Sequence, residues 1–231
     1  RADMGAYPYH QYQNSISLSD GQNLVSFYSI PKDNSLSNVL SSTGATTPSA
    51  ITEGSAGTQL SNGSWVGSLT HILPDKGYWI QSTINQDLNV TGFPLEGENQ
   101  LYSLHEGANL ISYPFEASNS VSEAIPDLYE GYINNIVGEG TAALQIAPGS
   151  WVGSLTHFHK NKGYWFTSSS NFMYAYMPVE GLGRVQIAEQ EEKDFNQSSQ
   201  QAFYFIENLD LAEQGDKIEA YHGSILVGSR L

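Results

Sequence analysis

The sequence predicts a mainly β protein: two β-sandwich-like modules in tandem, each with one short helix, followed by a partial third β unit. Three observations predict it. The 231 residues exceed the ~150 expected of one domain. The composition is that of strands and turns, with 39% hydrophobic, 12% aromatic and only 14% charged residues against the ~25% of an average soluble domain. Above all, the chain repeats itself. Gly21-Gln22-Asn23-Leu24-Val25-Ser26-Phe27 returns as Gly107-Ala108-Asn109-Leu110-Ile111-Ser112-Tyr113, and Glu53-Gly54 returns as Glu139-Gly140. Ser64-Trp65-Val66-Gly67-Ser68-Leu69-Thr70-His71 returns unchanged as Ser150 to His157, and Lys76-Gly77-Tyr78-Trp79-Ile80 returns as Lys162-Gly163-Tyr164-Trp165-Phe166. All four pairs are 86 positions apart, which divides the chain into an N-terminal extension (1–15), repeat 1 (16–98), repeat 2 (99–181) and a partial C-terminal β module (182–231).

Within each repeat, Gly-x-Asn-Leu-(Val/Ile)-Ser-(Phe/Tyr) reads as a turn leading into a half-buried strand. A short helix follows. In repeat 2, Ser120 and Glu123 stand in capping-box register, with Val121, Ile125 and Leu128 on one face and Pro126 limiting its length. In repeat 1, Asn34 or Ser35 caps the weaker equivalent around Leu36, Val39 and Leu40. Strands are then expected near Ala50 to Glu53 and Tyr132 to Gly138, at Trp-Val-Gly, at Gly-Tyr-Trp, and at Leu88 to Val90 or Met173 to Tyr176. From about Leu182 no third copy is legible: Gln201 to Glu207 is a strand candidate, and Lys217 to Tyr221 with Ser224 to Gly228 flank His222-Gly223 as a hairpin.

Charge and composition exclude several functions. A net charge of −15 and nine scattered Lys and Arg argue against nucleic acid and anionic membrane surfaces as partners. With no cysteine there are no disulfides, thiolate metal sites or cysteine nucleophiles. No apolar stretch approaches the ~20 residues of a membrane span, so no membrane insertion is expected. A start at Arg1 instead of Met reads as a processed or excerpted product.

Trp65, Trp79, Trp151 and Trp165 all fall in repeated segments, and are either core anchors or flat platforms for sugar rings or a protein partner. Glu53 and Glu139 recur without a second acid, since Asp75 becomes Asn161, so a catalytic carboxylate pair is not expected. His71 and His157 recur in Ser-Leu-Thr-His without a nucleophile elbow at Ser68 or Ser154. His157-Phe158-His159 places two imidazoles on one face of a strand, the start of a metal site, where repeat 1 has His71-Ile72-Leu73. In the tail, Asn208, Asp210, Glu213, Asp216 and Glu219 are hard oxygen ligands that suit Ca²⁺, outside any EF-hand spacing. Asn62, Asn89 and Asn196 open glycosylation sequons. The expectation is no catalytic residue, no cofactor apart from this Ca²⁺ candidate, and no enzyme.

The pattern Gly-x-Asn-Leu-(Ile/Val)-Ser followed by Lys-Gly-Tyr-Trp resembles β-rich repeats of secreted or surface proteins of aquatic bacteria. The tail, Gln200-Gln201-Ala202-Phe203-Tyr204-Phe205 and then Gly215-Asp216-Lys217-Ile218-Glu219-Ala220-Tyr221-His222-Gly223 to Val227-Gly228, is similar to a module of marine bacterial surface proteins and marine phage structural proteins. There the second motif reads Gly-Asp-x-Ile-x-Ala-Phe-x-Gly. The resemblance implies a fold, an extracellular, cell-surface or virion location, and partners that are copies of itself or other surface or virion proteins, with glycans as the alternative. It brings no catalytic residues, and it implies a module continuing beyond Leu231.

Overall fold

The protein, seen here as a computed structural model, is described over residues 11–178 and the strands Ile218–His222 and Ile225–Arg230. It is mainly β, and all its sheets are antiparallel.

Module 1 opens with β1 (Tyr12–Leu18), whose alternation buries Asn14, Ile16 and Leu18. This strand starts inside the stretch read as an N-terminal extension, and its first residue pairs with Gly92. A turn leads into β2 (Gly21–Val25), β3 (Ser29–Ile30), α1 (Leu36–Val39), a 3₁₀ turn over Ser41–Thr46, and strands β4 (Ser49–Thr52), β5 (Ser55–Gln59), β6 (Trp65–Gly67), β7 (Tyr78–Ser82) and β8 (Gln86–Pro94). The strands form a five-stranded sheet in the order β2-β7-β4-β5-β6 and a three-stranded sheet β1-β8-β3. Ile16, Leu18, Leu88 and Val90 from the smaller sheet meet Val25, Ala50, Tyr78 and Ile80 from the larger, with Leu36, Val39 and Leu40 of the helical turn completing the core. Each such aliphatic chain contributes roughly 1.5–3 kcal/mol by leaving water.

Module 2 repeats the plan. After a 3₁₀ turn over Gly97–Asn99 come β9 (Tyr102–Leu104), β10 (Gly107–Ser112), β11 (Asn119–Ser120), α2 (Val121–Ala124), α3 (Asp127–Glu130), β12 (Ile133–Gly138), β13 (Thr141–Ala147), β14 (Ser150–Gly153), β15 (His157–Phe158), β16 (Gly163–Ser168) and β17 (Phe172–Tyr174). The five-stranded sheet recurs in the equivalent order β10-β16-β12-β13-β14, with β9–β17 and β11–β15 as two-stranded pairs. Ser120 caps α2: its hydroxyl accepts the Glu123 N–H at 3.2 Å, the first bond of a capping box, while the Glu123 carboxylate accepts from that same hydroxyl at 2.7 Å and not from the Ser120 backbone. The single helix expected here is two short turns, because Pro126 cannot continue α2 and instead precedes α3. Leu128, expected on the buried face, is therefore turned outward and 74% exposed.

The C-terminal hairpin expected around His222-Gly223 forms as β18 (Ile218–His222) and β19 (Ile225–Arg230), with a register break between Ala220 and Tyr221. It belongs to a second compact unit, whereas both modules lie in the first. The strand candidate at Gln201 to Glu207 lies outside the described residues.

Candidate functional site

Most of the duplicated residues are consumed by the fold. The buried Asn23 accepts the Ser19 N–H at 2.7 Å and donates to the carbonyls of Ser19 and Gly21, closing the β1–β2 turn. Asn109 does the same with His105 and Gly107. Ser-Leu-Thr-His clamps the helical turn to the sheet. Ser68 and Ser154 accept the N–H of Ala56 and Ala142, and the Thr70 and Thr156 carbonyls accept the N–H of Leu36 and Val121, first residues of α1 and α2 whose donors have no intrahelical partner. In Trp-Val-Gly the glycine is obligatory: at Gly67 and Gly153 φ is +131° and +140°, and a Cβ would lie 2.2 and 2.1 Å from the carbonyl oxygens of Ala56 and Ala142.

The glycine of Lys-Gly-Tyr-Trp serves a different purpose, because it sits where the modules join. A Cβ on Gly77 would lie 2.9 Å from the Ile111 oxygen, and one on Gly163 would lie 2.7 Å from the Val25 oxygen and 3.2 Å from the Cα of Gly77. The bridges are reciprocal, Val25 with Lys162 and Ile111 with Lys76, so equivalent surfaces of the two copies meet about a local two-fold axis. Ser26 N–H donates to the Asn161 carbonyl at 2.9 Å, and Ser112 N–H reaches the equivalent Asp75 carbonyl at 3.4 Å. Leu24 and Leu110, which point away from their own cores, are fully buried by this joint. Asn161 alone among non-glycines in the described residues has a positive φ, +66°, and its side-chain amide exchanges two hydrogen bonds with that of Asn14, at 2.7 and 2.9 Å.

The tryptophans divide into two pairs. Trp65 and Trp151 pack against their module cores, and the indole N–H of Trp151 is buried without a partner. Trp79 and Trp165 lie on the opposite face of the sheet, half-buried, in register with Leu24 and Ile51 or with Leu110 and Val137. The four do not form one exposed line.

The titratable candidates are separated. Glu53 reaches across the joint to His105, while Glu139 pairs within module 2 with Lys162 at 3.1 Å. His71 and His157 are exposed, each bonded through Nδ1 to the preceding threonine hydroxyl at 2.9 and 3.0 Å. Glu130 is the buried carboxylate of the described residues; burial, with Asp127 nearby, holds its pKa above the usual value. Burial also pushes the Tyr164 hydroxyl up to about 12, and drives those of Tyr174 and Tyr176 well above their ordinary value.

His157 and His159 do project from one face, with ring centroids 6.4 Å apart. Among the described residues no group of three or more His, Asp or Glu is gathered to hold a metal ion. Of the Ca²⁺ candidates, Asn208, Asp210, Glu213 and Asp216 lie outside the described residues, and Glu219 falls within β18. No helix of the described residues is long and apolar enough to cross a membrane.

Compared with family models, with curated proteins and with solved structures, the chain matches none. The geometry adds residues the motifs did not single out: Ser26, Ser112, Asn14, Asn161 and His105 at the joint. The two serines were visible in the repeat, but nothing local distinguishes a strand-end serine that faces solvent from one that faces another module.

Proposed function

We propose that this chain is a non-enzymatic structural protein of an extracellular or virion surface that assembles with copies of itself through its β-rich modules. One observation carries the reading: both five-stranded sheets end in edge strands that share the sequence Trp-Val-Gly, β6 and β14. Around these edges apolar side chains face outward, with Val66 48%, Val152 46%, Leu144 52% and Ile146 65% exposed. Sheet edges of this kind can be completed by another chain through backbone pairing. The retained Ser, Thr and Asn residues are spent on the fold, which also fits a shape-bearing role. Size-exclusion chromatography with light scattering tests it: concentration-dependent oligomers that Val152→Lys weakens are expected, and a monodisperse monomer at high concentration would overturn it.

A second reading, a carbohydrate-binding or adhesive module, is favoured by one observation, the half-buried Trp79 and Trp165 that lie outside the module cores. Glycan binding lost in Trp79→Ala or Trp165→Ala, with oligomeric state unchanged, would select it.

A further inference from the structure

A cavity of about 170 Å³ opens on module 2, lined by residues that include Glu139, Thr141, Thr156, His157, His159 and Lys162. Three of these six, Glu139, His157 and Lys162, carry titratable groups retained at the 86-residue offset, and they converge here although they come from three separate segments. The hydrogen bonds leave donors over. His157 shares Nδ1 with the Thr156 hydroxyl at 3.0 Å; with Nδ1 accepting that hydroxyl proton, Nε2–H is a donor with no partner among the described residues. His159 has its backbone N–H on the Tyr164 oxygen at 2.8 Å, but its ring nitrogens have no hydrogen-bond partner among the described residues. The Thr141 hydroxyl is likewise unused there, and Lys162 spends one N–H on Glu139 at 3.1 Å. The one carboxylate lining the cavity is thus neutralised by the lysine beside it, while two imidazoles, a hydroxyl and the remaining ammonium protons point to no acceptor.

We propose that this cavity binds an oxyanion, a phosphate, sulfate or sulfate-ester group, held between His157, His159 and Lys162. An unpaired donor cluster is completed by a ligand that offers only acceptors, and charge-assisted bonds to a tetrahedral oxyanion are the strong version of that fit. In a chain of net charge −15 the site is also an exception to the general repulsion of anions, since its lining includes Lys162, one of nine cationic side chains in the whole sequence. Lys160 is committed elsewhere, to Glu116 at 3.1 Å and over the ring of Tyr28. Module 1 provides a built-in control: it keeps His71 and Lys76, but has Leu73 in place of His159 and turns Glu53 away to His105. The inference stands independently of the assembly reading.

The test is an NMR titration of the full chain with labelled histidines, using inorganic phosphate and sulfate against sodium chloride of matched ionic strength. Saturable shifts of His157 and His159 but not of His71 are expected. His159→Leu, which installs the residue module 1 already tolerates, should weaken binding about tenfold, as should Lys162→Gln. A second arm with a sulfated polysaccharide distinguishes sources: tighter binding than the free ion assigns the group to a polymer, and equal affinity per group to a free ion. Absence of saturation, an equal response at His71, or affinity unchanged in both folded variants would overturn the proposal. So would a response to Zn²⁺ alone, with none to oxyanions, since the two histidines would then be metal ligands.

Discussion

Module 1 fills its core with Ile16, Ile72, Ile80, Leu88 and Val90; module 2 places Tyr102, Phe158, Phe166, Tyr174 and Tyr176 at the positions 86 residues on. The added volume is offset partly at the helical turn, where the offset is 85 and Leu36 and Val39 become Val121 and Ala124. The rings interlock, Tyr102 against Tyr176 at 5.6 Å and Phe158 against Tyr164 at 4.9 Å, both edge to face. At the joint, by contrast, Gly77 and Gly163, Leu24 and Leu110, and Ser26 and Ser112 are identical. The difference teaches which constraint is stricter. A core accepts any apolar set of suitable volume, whereas two backbones in contact accept only glycine.

The sharpest way to break the comparison is therefore at the joint. Gly163→Val forces a side chain into the Val25 carbonyl and the Gly77 backbone, and is expected to cost roughly 3 kcal/mol or more, as severe overpacking does. Denaturant unfolding, followed separately through module-specific probes, should show one coupled transition in the parent chain and two in the variant. A single unshifted transition would mean that the joint yields more easily than its geometry suggests.

The same contrast explains what was legible in sequence. The β class, the duplication and the Ser120–Glu123 cap rest on local patterns, and the serine hydroxyl accepts the Glu123 N–H as read. The joint was hidden because its residues look like ordinary strand ends: Leu24 follows Asn23 as an alternating strand residue would, and its outward side chain needs a neighbour that no local pattern reveals. The oxyanion cavity was half visible, in the His157-Phe158-His159 spacing. The contribution of Glu139 and Lys162 was not, because the β12–β13 turn and the start of β16 must fold onto β15 before these groups meet. The four tryptophans read as one class, but sheet register sorts them into two.

A smaller effect distinguishes the cores. Module 2 carries tyrosine hydroxyls where module 1 has Ile16, Phe27, Leu88 and Val90, and the structure accommodates some of them. Tyr102 OH meets the Ser112 hydroxyl at 3.0 Å and Tyr113 OH donates to the Ala117 carbonyl at 2.8 Å, but those of Tyr174 and Tyr176 are buried without partners. A buried unsatisfied polar group costs about 1–3 kcal/mol. Tyr174→Phe keeps the ring contacts and deletes the orphan, so it is expected to raise stability by about 1 kcal/mol. Tyr174→Leu, which restores the module 1 residue alone, should instead destabilise by leaving a cavity beside Tyr102 and Phe166. Urea midpoints moving in opposite directions for the two variants would establish that ring volume and hydroxyl act with opposite sign.

The smallest effect concerns one of the places where the joint departs from its two-fold symmetry, as Asp75 against Asn161 also does. Ser19 of module 1 is replaced by His105 in module 2, and this histidine receives Glu53 from across the joint. Its pKa is raised, first by the Glu106 carbonyl that accepts an imidazole proton and then by the Glu53 carboxylate. Because the folded value lies above that of the unfolded chain, the protonated histidine favours folding. Its contribution is complete below the ordinary histidine pKa and is lost as pH rises through the raised value. The side chain is 53% exposed, so solvent screening limits the effect to well under about 1 kcal/mol. His105→Ser, which restores the symmetric residue, should remove this increment on the acidic side of that window and leave stability unchanged on the basic side. Unfolding curves of parent and variant across the window should converge as pH rises; a constant difference would mean that His105 acts through packing and not through its charge.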